Sequence, residues 1–94
     1  MHVTVLLPGV LRSAADGTPK FELEMTAPAT LGDVLDVIAG RYPLLERRLR
    51  DEQRRLRRYV NFFVDGEECR RLAGADTVLA EGAEIQIIPS VAGG

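Results

Sequence analysis

The chain has 94 residues, 46% hydrophobic and 28% charged, with a net charge of −2 at neutral pH. That length fits one domain with one modest core, and no apolar run reaches the length of a membrane span. One cysteine, Cys69, and one histidine, His2, exclude an internal disulfide and a cysteine-based metal site and leave little for nucleophilic or metal catalysis.

Taken in order, His2 to Leu7 reads as a strand, with Val3, Val5 and Leu7 on one side and Thr4 and Leu6 on the other. Pro8-Gly9 breaks it, and residues 13–19 carry the turn chemistry of a loop. Lys20 to Met25 alternates Phe21, Leu23 and Met25 against Glu22 and Glu24, a half-buried strand hairpinned to the first. Thr30-Leu31-Gly32-Asp33 is a capping-box-like start, and Leu31, Val34, Leu35 and Ile38 then fall on one helical face. Gly40 is a stop signal, with fraying possible to Tyr42 before Pro43.

Residues 43–50 predict a short helix or turn, on which Leu45 and Leu49 share a face with Leu56, followed by a solvated loop. Tyr59 to Val64 is a strand with Val60, Phe62 and Val64 inward and Phe63 outward, and Asp65-Gly66 is a strong hairpin turn. The return strand is predicted to run through Cys69 to about Arg71. Residues 73–76 and Glu81-Gly82 are turns around the apolar pair Val78-Leu79. Ile85 and Ile87 mark a final strand, which Pro89 stops for want of an N–H. The order of a hairpin, a crossing helix and further strands gives an α+β fold: a β-grasp, with a mixed sheet of about five strands and one main helix on one face. The last strand is expected at its centre. The domain is read as 1–89, and residues 90–94 as a flexible tail.

Charge is unevenly spread. Residues 41–58 hold eight arginines for a net of +5, while the flanking segments are net −3 and −4. Within residues 41–58, the arginine run at 47–58 contains no aromatic before Tyr59, unlike the interleaved basic and aromatic pattern of nucleic-acid binders. A solvated face, or steering toward an acidic partner, suits it better, so neither a nucleic acid nor a membrane is expected as partner. The start of the chain lacks the basic region of a signal peptide, so a cytoplasmic location is expected.

The chain ends in Val91-Ala92-Gly93-Gly94. A strand, a proline stop and a nearly side-chain-free tail in one register suit a chain end that enters a narrow channel, because glycine accepts almost any backbone conformation. Five residues from Ser90 span at most about 17 Å. Ordering them costs on the order of 5–10 kcal/mol, so the body must dock as well. Leu6, Phe63 and Ile88 all point away from the helix-covered face and are the expected docking patch, each contributing roughly 1.5–3 kcal/mol when covered.

The stretches Val60-Asn61-Phe62-Phe63-Val64-Asp65-Gly66-Glu67, Gly74-Ala75-Asp76-Thr77 and residues 81–94 resemble the ubiquitin-like sulfur carrier proteins. These comprise the small subunit of molybdopterin synthase, the thiamine-pathway carrier and the carrier of the cysteine route. The ending Ile-Pro-Ser-Val-Ala-Gly-Gly and the extended 43–58 segment look most like the last of these. The resemblance implies a ubiquitin-like fold and a co-substrate role, with no catalytic residue, bound cofactor or metal. It implies that an E1-like adenylyltransferase and sulfurtransferase, using ATP and Mg, adenylates Gly94. A thiocarboxylate there would donate sulfur to a synthase, while Gly93, Ala92 and Val91 thread the partner's tunnel. Conjugation to proteins through Gly94, or a purely non-covalent interaction module, are the alternatives.

Overall fold

The computed structural model describes residues 1–90. Five strands form one mixed sheet in the order β2-β1-β5-β3-β4, where β1 is His2–Leu6, β2 Lys20–Glu24, β3 Val60–Val64, β4 Glu67–Glu68 and β5 Ala83–Pro89. β1 and β2 are an antiparallel hairpin; β5 lies parallel to β1 and antiparallel to β3. The last strand is therefore central, as the element order predicts, and the chain has the ubiquitin-like β-grasp fold.

Strict alternation explains how the sheet buries one side. Val3, Val5, Phe21, Leu23, Val60, Phe62, Val64, Ala83, Ile85 and Ile87 are all buried. The intervening residues of each strand face the other way. Over the buried side lie α1 (Gly9–Arg12), α2 (Leu31–Arg41) and α3 (Pro43–Leu49). Leu31, Val34, Leu35 and Ile38 of α2 and Leu45 and Leu49 of α3 are at most 1% exposed. A helix this short owes its stability to that buried stripe rather than to propensity. α2 begins with a complete capping box: Asp33 N–H donates to Thr30 Oγ1 at 3.1 Å, and Thr30 N–H donates to Asp33 Oδ2 at 2.9 Å. Gly40 stays helical; α2 ends with Tyr42 N–H bonded to Ile38 O, and Tyr42 stacks on Phe21 with ring centroids 5.2 Å apart.

Four local expectations are corrected. Residues 13–19 are not loop throughout: Pro8-Gly9 does end the strand, but Pro8 then caps α1 and a 3-10 turn at Ser13–Ala15 follows, burying Leu11 and Ala15 four residues apart. The return strand after Asp65-Gly66 stops at Glu68 instead of running to Arg71. There the Glu68 carboxylate accepts from Arg70 N–H, closing a 3-10 turn over Cys69–Arg71 and burying Cys69. Residues 51–58 are not merely solvated. Arg50 and Leu56 form a bridge, and Arg57 N–H donates to Leu49 O at 3.0 Å. Leu56 accordingly packs beside the core from this loop, not from the helix carrying Leu45 and Leu49. The Asp65-Gly66 hairpin is as predicted, with both residues at positive φ, 49° and 89°. That left-handed pair is the geometry of the primed two-residue turns.

Candidate functional site

β5 is held by β1 on one side and β3 on the other, and it is the strand that leads into the chain end. Pro89 is its last residue, opposite Val60, and one further bond follows: Ser90 N–H donates to Tyr59 O at 2.6 Å. A strand paired on both edges is the most rigid base the sheet offers for whatever follows it. Val91, Ala92, Gly93 and Gly94, the tail positions singled out in the sequence, lie outside the described residues.

The open face of the sheet carries the other three predicted residues. Leu6 on β1 and Phe63 on β3 both pair with Gln86 of β5. Ile88 is one step nearer the chain end on β5, opposite Asn61. Residues directly opposite share a face, so all three side chains stand on the side away from the helices. Leu6 and Phe63 are half-buried and Ile88 is exposed. They do not form an unbroken patch. Adjacent strands are about 4.8 Å apart, so Leu6 and Phe63 are about 10 Å apart across Gln86. The arrangement is an apolar triangle around a central amide, bordered on the same face by Lys20 beside Leu6 and Glu68 beside Phe63. Parity along each strand locates the apolar corners; Gln86 in their middle is readable only once the register is known.

On the helix side of the same sheet end, Val10, Leu11, Arg48, Tyr59, Val60, Pro89 and Ser90 line an open groove of about 390 Å³. Nothing in the sequence reading marks this groove. Its residues come from four separate segments, which only the fold brings together.

Two groups with shifted pKa values are His2, at the opposite end of β1, and Cys69, next to Glu68. His2 Nδ1 is 3.0 Å from Glu24 Oε1 and its Nε2 is 3.2 Å from Glu22 Oε1. The Glu24 hydrogen bond, then that of Glu22, holds the imidazole above its ordinary value, and Glu24 is lowered in return. Cys69 is fully buried, and burial, then the Glu68 charge, pushes its thiol up to about 11. A thiol held protonated is a poor nucleophile. Among the described residues, no three His, Cys, Asp or Glu side chains come together as metal ligands. No helix among them is long and apolar enough to cross a membrane.

Comparison with known proteins agrees with this geometry. The ThiS family profile matches residues 5–94. The chain is 38% identical over 94 residues to the molybdopterin synthase sulfur carrier subunit of Mycobacterium tuberculosis, covering 100% of this chain and 99% of that one. It is 34% identical over 96 residues to the sulfur carrier protein CysO of the same organism, covering all of both chains. Among solved structures, SAMP1 of Haloferax volcanii, a small archaeal modifier protein, superposes with a TM-score of 0.85 at 29% identity, over 100% of both chains. CysO in the BexX/CysO complex of Amycolatopsis orientalis gives 0.82 at 32% identity, over 98% of this chain and 99% of that one.

Proposed function

The chain belongs to the ThiS family, and on that premise we propose that it donates sulfur from a thiocarboxylate formed at Gly94. The observation that supports the reading is the central, doubly paired position of β5, the last described strand of the chain. A free C-terminal carboxylate has a pKa of about 3.5, so it is ionised at neutral pH and resists nucleophiles. An activating enzyme of the E1-like type, using its own ATP and Mg, overcomes this. A Gly94 carboxylate oxygen attacks the α-phosphorus of ATP and pyrophosphate leaves. Sulfide then attacks the acyl carbon and AMP leaves; where the donor is a persulfide, the acyl disulfide formed is cleaved by a second thiol, which releases the thiocarboxylate and leaves the donor sulfur in a disulfide. The protein is a co-substrate throughout and supplies no acid, base or nucleophile except its own terminus.

The body's part is docking. The triangle of Leu6, Phe63 and Ile88 lies on the three central strands at the end where β5 finishes. Leu6 and Phe63 are already half-buried, so covering what remains of them and of Ile88 yields less than the roughly 1.5–3 kcal/mol of a fully exposed side chain and offsets only part of the cost of ordering the tail. The synthase that accepts the sulfur is assigned to the cysteine route, on the ending Ile88-Pro89-Ser90-Val91-Ala92-Gly93-Gly94 and the long 43–58 segment. The similarity to a molybdopterin synthase subunit keeps that pathway as the direct competitor. A second reading, conjugation to protein lysines through Gly94, has one observation in its favour, the likeness to a small archaeal modifier protein.

The test is carrier-dependent AMP formation from ATP by an E1-like enzyme. Wild type releases AMP when a sulfur donor is added, deletion of Gly94 abolishes release, and Phe63→Asp raises the KM for the carrier at least tenfold. Equal AMP formation with and without Gly94 refutes the proposal. Ladders of conjugates in extract, with no transfer to a small-molecule acceptor, favour the modifier reading.

A further inference from the structure

The arginine run at 47–58 has no part in the chemistry above, yet the fold brings it to the chain end. Its arginines divide into two groups. Arg50 and Arg54 are ion-paired with Asp36, Arg50 also with Glu46, and Arg55 with Asp51. Arg47, Arg48, Arg57 and Arg58 have no carboxylate within salt-bridge distance among the described residues. Arg57 Nε donates to Arg47 O at 2.7 Å, which ties the loop to α3.

Three of the four, Arg48, Arg57 and Arg58, adjoin the groove at Ser90. Arg48 lines it together with Tyr59, and Tyr59 also lines the neighbouring depression together with Arg57 and Arg58. Two large apolar-bodied side chains stand exposed there: Val10 at 66% and Tyr59 at 50%. The chain as a whole is acidic, so three guanidiniums without a carboxylate partner at one edge are a local feature. A protein that takes in a tail of about 17 Å necessarily presses against the body where that tail begins.

We propose that this edge, Arg48 and Arg58 around the Tyr59–Val10 groove, docks an acidic surface with an apolar tip at the mouth of the site that charges Gly94. The inference rests on the thiocarboxylate reading and names a second contact for it, on the opposite side of the sheet from Leu6, Phe63 and Ile88. Two faces gripping one strand end would fix the direction in which β5 aims the tail. Arginine suits the task, since its planar fork pairs with a carboxylate through two parallel hydrogen bonds. Complementary charge chiefly speeds encounter and weakens with salt.

The experiment compares wild type, the double variant Arg48→Glu/Arg58→Glu and the charge-retaining Arg48→Lys/Arg58→Lys in AMP formation by an E1-like enzyme at low and high salt. Both arginines are exposed, and melting curves confirm that the variants fold. The glutamate variant should raise KM about tenfold at 0.05 M salt with kcat unchanged, the lysine variant should recover most of the loss, and the difference should shrink near 1 M, where the Debye length falls to about 3 Å. An unchanged KM in the glutamate variant, with wild type active, overturns the docking edge alone. No AMP with wild type overturns the thiocarboxylate reading beneath it. Charge-dependent dimerisation or RNA binding, with KM unchanged, would assign the edge to another partner and overturn the proposal equally.

Discussion

Arg50→Ala should be the most damaging single charge deletion in this chain, although Arg50 sits in its most arginine-rich stretch. The Arg50 side chain is only 3% exposed. Its Nε donates to both oxygens of Glu46, at 2.9 and 3.1 Å, and Glu46 is itself 18% exposed. Nη2 lies 2.9 Å from Asp36 Oδ1 but is not aligned to hydrogen-bond it, so that contact is an ion pair only. Truncation leaves Glu46 largely buried without its partner, and hydrogen bonds to charged groups are worth about 1.5–3 kcal/mol. Asp36 keeps Arg54 at 2.9 Å, so losing its contact with Arg50 adds about 0–1 kcal/mol. The sum is about 1.5–4 kcal/mol, from a total stability of roughly 5–14 kcal/mol for a chain of this length. At about 4–8 °C per kcal/mol, the melting temperature should fall by roughly 6–30 °C. Arg54→Ala is the control: its side chain is 64% exposed on the same Asp36, and it should cost less than about 1 kcal/mol. Urea unfolding followed by far-UV circular dichroism measures both. Replacing Arg50 and Glu46 together by methionine should restore most of the loss, because no buried charge is then left alone. Equal costs for Arg50→Ala and Arg54→Ala would refute the reasoning, since the argument rests on burial and not on charge count.

Two further outcomes follow from the titratable groups. His2 is held above its ordinary value by Glu24 and Glu22, so the folded chain favours the protonated ring. Its stabilising effect is therefore present in full below the ordinary imidazole value of about 6.5, and is lost as pH rises through the elevated one. The gap between wild type and His2→Ala in urea midpoint should narrow from pH 5 to pH 8.5; a constant gap contradicts the assignment. Cys69, buried and pushed up to about 11, should resist alkylation in the native chain at pH 8 and react quickly in denaturant. Native labelling as fast as denatured labelling would mean that the Glu68–Arg71 turn opens readily.

The sheet and the main helix were legible because each rests on a short-range rule. Phe21, Leu23, Ile85 and Ile87 alternate at period two and are all buried; Thr30 and Asp33 stand at the spacing that closes a capping box. The corrected elements depend instead on side chains acting over sequence the pattern does not cover. Glu68 ends its own strand by capping the next turn, and Pro8 starts a helix because Leu11 and Ala15 have a core to enter. The burial of Arg50 was half visible, since Glu46 stands four residues before it, a spacing that favours a helical ion pair. Its second partner, Asp36, comes from another helix and gives no local signal. At the candidate site, parity placed Leu6, Phe63 and Ile88 on one face, and the register then put Gln86 among them. The Val10–Tyr59 groove was invisible, because it joins α1, α3 and the two strand ends across roughly 80 residues of sequence.

The most direct test of the account is the intact mass of the chain after incubation with an E1-like enzyme, ATP, Mg and a sulfide donor. The account predicts a new species heavier by the exchange of one oxygen for one sulfur. Fragmentation should place the change at Gly94, and it should be absent when Gly94 is deleted or ATP withheld. A chain whose mass never changes with any activating enzyme that adenylates related carriers, or a sulfur added anywhere but the terminus, would contradict it.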